Sequence, residues 1–134
     1  MQLNKCLTLV AAALLLSLCN GCSSQNEPAA RGVAVAFSLA LAADDGAAAC
    51  RLLAPGTKAE LEKSSGKACP PAIVEEDLPE PGAEEGSTSF GTMAKVTFAG
   101  DTVFVTEFMR GWRVMAAGCS PVPGYPYDCQ LQGG

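Results

Sequence analysis

Sulfur and carboxylate carry whatever chemistry this chain can do. It has no histidine, so the commonest acid–base group and metal ligand is missing. Seven cysteines are present. Cys6, Cys19 and Cys22 stand in the N-terminal stretch; Cys50, Cys69, Cys119 and Cys129 stand in the body. An even set of four in a small exported domain reads as disulfides, and four cysteines admit three pairings. Pairing of near neighbours, Cys50 with Cys69 and Cys119 with Cys129, is the simplest. No pair has the spacing of a zinc site, so neither metal nor cofactor is expected. Among the carboxylates, Asp44 and Asp45 read as helix caps and Asp101 as a turn residue. Glu107 is the one inside a strand pattern, where alternation groups it with Val103 and Val105, opposite Phe104 and Phe108. Buried there, it would hold its proton above the usual range and could serve as a base. No nucleophile pattern, Gly-rich phosphate loop or paired-carboxylate spacing accompanies it.

The cysteines are interpreted through the segment that precedes them. Lys5 supplies a short positive region, and Leu7 to Leu18 is almost unbroken Leu, Ala and Val. This run fits an export signal and falls short of the ~20 apolar residues of a spanning helix. It ends in Leu16-Ser17-Leu18-Cys19-Asn20-Gly21-Cys22-Ser23-Ser24. That ending resembles the lipobox of bacterial lipoproteins, with the small Gly21 before Cys22. The resemblance implies cleavage after residue 21, acylation of Cys22, and a chain held at the extracytoplasmic face of the cell membrane. Cys19 is the competing position, since Leu16-Ser17 precede it. Two attached acyl chains would anchor the protein stably. An ordinary export signal cut nearby is the plainer alternative.

The whole chain carries a net charge of −5, and loss of Lys5 with the leader makes it one unit more negative. This opposes nucleic acid and anionic surfaces, and no basic patch interleaved with aromatics appears. No nucleic-acid partner is expected. What remains is one small domain, residues 29–134, behind a polar tether over 22–28. The tether is short, so the domain should sit close to the bilayer.

The body begins helical. Val33, Phe37, Ala40 and Leu41 form one apolar stripe over 29–43. Asp45 is the natural N-cap of a second short helix over 46–53. Pro55-Gly56 should end it, and Thr57-x-x-Glu60 reads as a capping box opening a third helix near Lys58. Cys69-Pro70-Pro71 opens a fourth turn or short helix. Residues 75–87 are acidic and rich in Pro and Gly. They are expected as a solvated crossing, the oxygen-ligand alternation of a calcium loop being absent. From Ser89 the period becomes two. Strands are expected at Ala94–Phe98, Thr102–Phe108 and Trp112–Ala117, a three-stranded meander. Cys119 to Cys129 should close as a Pro-rich disulfide loop, with a short final strand at 130–132.

Helices followed by an antiparallel meander make an α+β plan. Three features resemble the NTF2-like fold: a helix running into Asp44-Asp45-Gly46-Ala47-Ala48-Ala49-Cys50-Arg51-Leu52-Leu53, the strand motif Gly111-Trp112-Arg113-Val114, and the order of elements. Together these features are similar to small lipoproteins of high-GC Gram-positive bacteria, which often end in a Cys-bounded, Pro-rich loop. The resemblance implies N-terminal helices on a curved antiparallel meander, the NTF2-like cone, here stapled by two disulfides. It also implies a concave pocket, for which Phe37, Phe98, Phe104, Glu107 and Trp112 are the candidate liners. A non-catalytic protein that binds a small molecule, a peptide or an envelope protein is the first functional expectation. An isomerase or cyclase using a buried carboxylate is the second. An envelope sensor or regulator with Arg110, Arg113, Tyr125 and Tyr127 as contact residues is the third.

Overall fold

A computed structural model describes residues 26–133. The leader, Cys19, the lipidation candidate Cys22 and the first tether residues lie outside that range. The fold is α+β: four helices against a five-stranded antiparallel sheet. The helices are α1 (Asn26–Ala42), α2 (Gly46–Leu52), α3 (Pro55–Ser65) and α4 (Cys69–Glu75). The strands are β1 (Glu84–Phe90), β2 (Met93–Phe98), β3 (Thr102–Phe108), β4 (Gly111–Val122) and β5 (Tyr125–Gln132), paired in sequence order.

Helix α1 begins three residues before the expected start, which shortens the tether. Its Pro28 falls in the first turn, where a missing N–H costs no helix bond. It lies against β1 to β4. Its innermost residues are Ala30, Ala34 and Phe37, with Val33 and Leu41 packed at the margin. Small side chains at the contact bring the helix close to the sheet. Ser38 is also buried, and its hydroxyl donates to the Ala34 carbonyl at 3.1 Å, so no polar atom is stranded.

Asp45 caps α2 as expected, accepting from the Ala48 N–H at 2.8 Å. The third helix differs from expectation. Pro55 opens it, in the first-turn position that suits proline, and Thr57 is not its cap. Thr57 is 1% exposed, and its hydroxyl donates to the Met115 carbonyl at 2.8 Å. That carbonyl is available because β4 carries a bulge: Phe104 pairs with Ala116 and Val105 with Val114, leaving Met115 without an opposite. Gly133 N–H donates to the same oxygen at 3.2 Å. The turn between α2 and α3 is also fixed to β4, with the Ala54 N–H donating to the Val114 carbonyl at 2.7 Å.

Both disulfides form as expected. Cys50–Cys69 joins α2 to α4, with Cα atoms 6.1 Å apart. Those helices approach closely at Gly46, where a Cβ would lie 2.1 Å from the Pro70 carbonyl oxygen. Cys119–Cys129 links directly opposed residues of β4 and β5. The segment expected as a Pro-rich loop is therefore a β-hairpin with a covalent rung, turning at Pro123-Gly124. Its prolines do not break pairing because Pro126 lies on the edge strand, whose outer N–H groups need no partner.

The acidic crossing also differs from expectation. Residues 84–90 form β1, the strand missing from the expected meander. Its apolar content is too low to announce a strand, since it lies at the sheet edge and is mostly exposed. The preceding turn docks on the β2–β3 connection: Gly100 N–H donates to Pro81 O and Ala99 N–H to Ala83 O, both at 2.8 Å. At Gly100 a Cβ would meet the Glu80 carbonyl oxygen at 2.3 Å, so glycine is required there.

Candidate functional site

The expected pocket on the helix side of the sheet is filled. Ala94, Val96, Val103, Val105 and Val114 from the strands meet Phe37 and Ile73 from the helices, all buried. Phe98 and Trp112 belong to the same core. Phe104 is on the opposite face, half-buried, with its ring edge-on to Tyr127 at 5.0 Å. Glu107 is exposed, because β3 runs past the cover of the helices after Val105. The five candidate liners therefore do not share a cavity. The contact residues expected for a sensor are likewise dispersed. Arg110 and Arg113 sit at the β3–β4 turn, whereas Tyr125 is at the far end of the β4–β5 hairpin.

A cleft of about 220 Å³ does open at the other end of the molecule. Phe37 is the one expected liner that reaches it, with Leu41, Ile73 and Leu78. Four carboxylates surround this apolar floor: Asp44, Asp77, Glu80 and Asp101. Two of them, Asp44 and Asp77, sit in left-handed backbone just past a helix. Helix α1 ends with the Asp44 N–H donating to Leu41 O and the Asp45 N–H to Ala40 O, at 3.0 and 2.9 Å. This bond pair requires a left-handed residue between helix and loop, usually glycine. Asp44 occupies it at φ 53°, and Asp77, just beyond α4, has φ 51°. These are the only two non-glycine residues with positive φ among those described. The cleft therefore lies between two helix C-termini, whose backbone dipoles add negative potential to the carboxylates.

Asp101 reaches the cleft from the β2–β3 turn. Its Oδ1 accepts from the Thr102 N–H at 2.6 Å and the Cys119 N–H at 3.0 Å. Burial raises its pKa above the ordinary value, opposed by backbone N–H groups of Gly118, Cys119 and Thr102. Asp101 thus ties the turn to β4 while adding charge to the cleft wall. Among the described residues, no three of His, Cys, Asp and Glu converge closely enough to hold a metal ion.

In the sequence Asp44 and Asp101 read only as cap and turn residues, and Asp77 as part of the solvated acidic crossing over 75–87. The available signal was an aspartate directly after each of two helical segments, where glycine would be easier. The fold and cleft together define an α+β domain with two disulfides and a small, acid-rimmed recess. No family model, curated protein or solved structure matches the chain.

Proposed function

We propose that this is a lipid-anchored extracytoplasmic binding protein, of NTF2-like ancestry, that acts without catalysis. Its cleft takes one positively charged group, either a small amine-bearing solute or the basic side chain of an envelope partner. The observation that carries the reading is the pair of aspartates held in left-handed backbone at the two helix ends that flank the cleft, with apolar side chains between them. That arrangement suits an ammonium or guanidinium on a short aliphatic stem, the head meeting carboxylates and the stem meeting Phe37, Leu41 and Leu78. A recess of about 220 Å³ is below the size usual for drug-like ligands, which favours a single side chain or a solute of that size. The lipobox-like segment and two oxidised cysteine pairs support an exported protein. The enzymatic alternative gains nothing from Glu107, which is in open solvent.

The test is titration with lysine amide, arginine amide and the uncharged norleucine amide, followed by backbone amide shifts. Shifts at Leu41, Asp44, Asp77 and Asp101 with the two cations, and none with norleucine amide, support the reading. Equal response to norleucine amide, or no response at these four positions, rejects it.

A further inference from the structure

Among the described residues, eight large apolar side chains are exposed, and four of them collect at one end: Phe90, Met93, Phe108 and Met109. Phe90 and Met93 flank the β1–β2 turn and are paired with each other. Phe108 and Met109 begin the β3–β4 turn. The two turns are tied together, with the Glu107 N–H donating to the Thr92 carbonyl at 2.8 Å. Met109 at the apex is fully exposed, at 105%. Arg110 follows it, and Arg113 joins Phe108 and Met109 around a shallow apolar recess. Glu107 is the one carboxylate in this tip, on a chain whose net charge is −5. Two arginines and half of the exposed large apolar side chains thus share one end, opposite the acidic cleft.

The chain enters the domain at this same end. The Ser87 hydroxyl donates to Glu27 at 2.6 Å, and Arg31, one turn later, donates to Glu84 at 2.7 Å. Helix α1 therefore runs antiparallel to β1, with its first turn directed toward Phe90. From Ser87 to Phe90 is about 10 Å at roughly 3.3 Å per strand residue. From Cys22 to Asn26 is at most about 14 Å of extended chain. An anchor at Cys22 brings the start of α1 near the lipid surface, and the apolar turns lie on that side.

We infer that the tip formed by the β1–β2 and β3–β4 turns docks into the bilayer surface, with Phe90, Phe108 and Met109 among the acyl chains and Arg110 and Arg113 against anionic head groups. The inference rests on the lipid-anchor reading for its geometry. A single lipid tether leaves a domain free to tumble; aromatic and Met side chains at the interface, with arginines beside them, fix one orientation. The acid-rimmed cleft then faces away from the membrane, where like charge repels it from anionic lipid.

The test uses the full chain, extracted from membranes and reconstituted into vesicles of phosphatidylcholine and phosphatidylglycerol with or without brominated acyl chains. Trp112 is the only tryptophan and is buried, so the unmodified protein supplies the baseline. Met109→Trp places a reporter at the tip. Leu39→Trp places one on the exposed side of α1 toward the cleft end. Both positions are exposed, so neither substitution removes core packing. Emission from Met109→Trp should fall to about half or less in brominated vesicles, as expected for a ring buried several ångströms into the interface. Leu39→Trp should follow the baseline. Quenching at neither site, or equally at both, overturns the inference. The intact mass of the same preparation reads the anchor separately. Acylated protein without tip quenching rejects docking alone; tip quenching without acyl mass rejects the anchor alone.

Discussion

Asp44 and Asp77 each occupy a backbone conformation that glycine adopts freely and an aspartate enters at a cost. Asp44→Gly and Asp77→Gly should each raise stability by up to about 1 kcal/mol, by relieving that conformation. Both should weaken binding of lysine amide. Denaturant midpoints and the amide-shift titration read the two effects, and a gain in stability with unchanged binding would mean the aspartates only end helices. Asp101 makes a pH-dependent case. Its folded pKa is raised above the ordinary 3.8, chiefly by burial. The native state therefore binds this proton more readily than the unfolded chain, and the Asp101 contribution to stability falls as pH rises through the window above 3.8. Asp101→Asn keeps an oxygen acceptor for Thr102 and Cys119 but cannot ionise. Melting curves between about pH 4 and pH 7 should show that falling contribution in the parent and its loss in the variant. The cap at Asp45 was legible because its chemistry is local: one side chain and an N–H three residues on. The role of Thr57 was not, because its acceptor is 58 positions away in the chain. A capping-box pattern and a long-range hydroxyl anchor look identical in sequence.

The close fit between α2 and α4 depends on the absence of a side chain at Gly46. Gly46→Ala would force a Cβ toward the Pro70 carbonyl and should cost about 1–3 kcal/mol, despite the better helix propensity of alanine. Thr57→Val keeps the shape but leaves the bulged Met115 carbonyl with only Gly133, and a loss of about 1–2 kcal/mol is expected. Chemical denaturation checks both. Helices were easier to read from sequence than strands. Alanine-rich amphipathic runs and the Pro70-Pro71 start announce themselves, although Pro55 reads as a stop and is a start, whereas β1 is Glu-Glu-Gly-Ser-Thr-Ser-Phe and looks like a loop. An edge strand that meets α1 through polar pairs, Ser87 with Glu27 and Glu84 with Arg31, shows no apolar alternation to detect. The β4–β5 hairpin was missed for a related reason: its prolines and glycines suggest irregular chain, and only the register of Cys119 with Cys129 shows that they flank a ladder.

At the scale of the molecule, the α+β plan was legible from the change of period and the presence of two disulfides from cysteine parity; the pairing itself followed the simplest of three possibilities, that of near neighbours. The place of the cleft was not legible. It depends on three segments distant in sequence, the ends of α1 and α4 and the β2–β3 turn, meeting at one end of the sheet. Of the aromatics proposed as pocket liners, Phe37, Phe98 and Trp112 were needed for the core instead, as a small domain must seal its interior to fold, while Phe104 packs on the other face against Tyr127. The two disulfides differ in setting. Cys50 and Cys69 are both buried in the core, while Cys129 is half-exposed on the outermost strand. A thiol reductant should therefore reach the β4–β5 link well before the helical one. Timed alkylation and mass analysis would show Cys119 and Cys129 labelled first, with Cys50 and Cys69 protected until global unfolding. A protein of this build would meet mild reductive stress by losing one arm while its trunk endured.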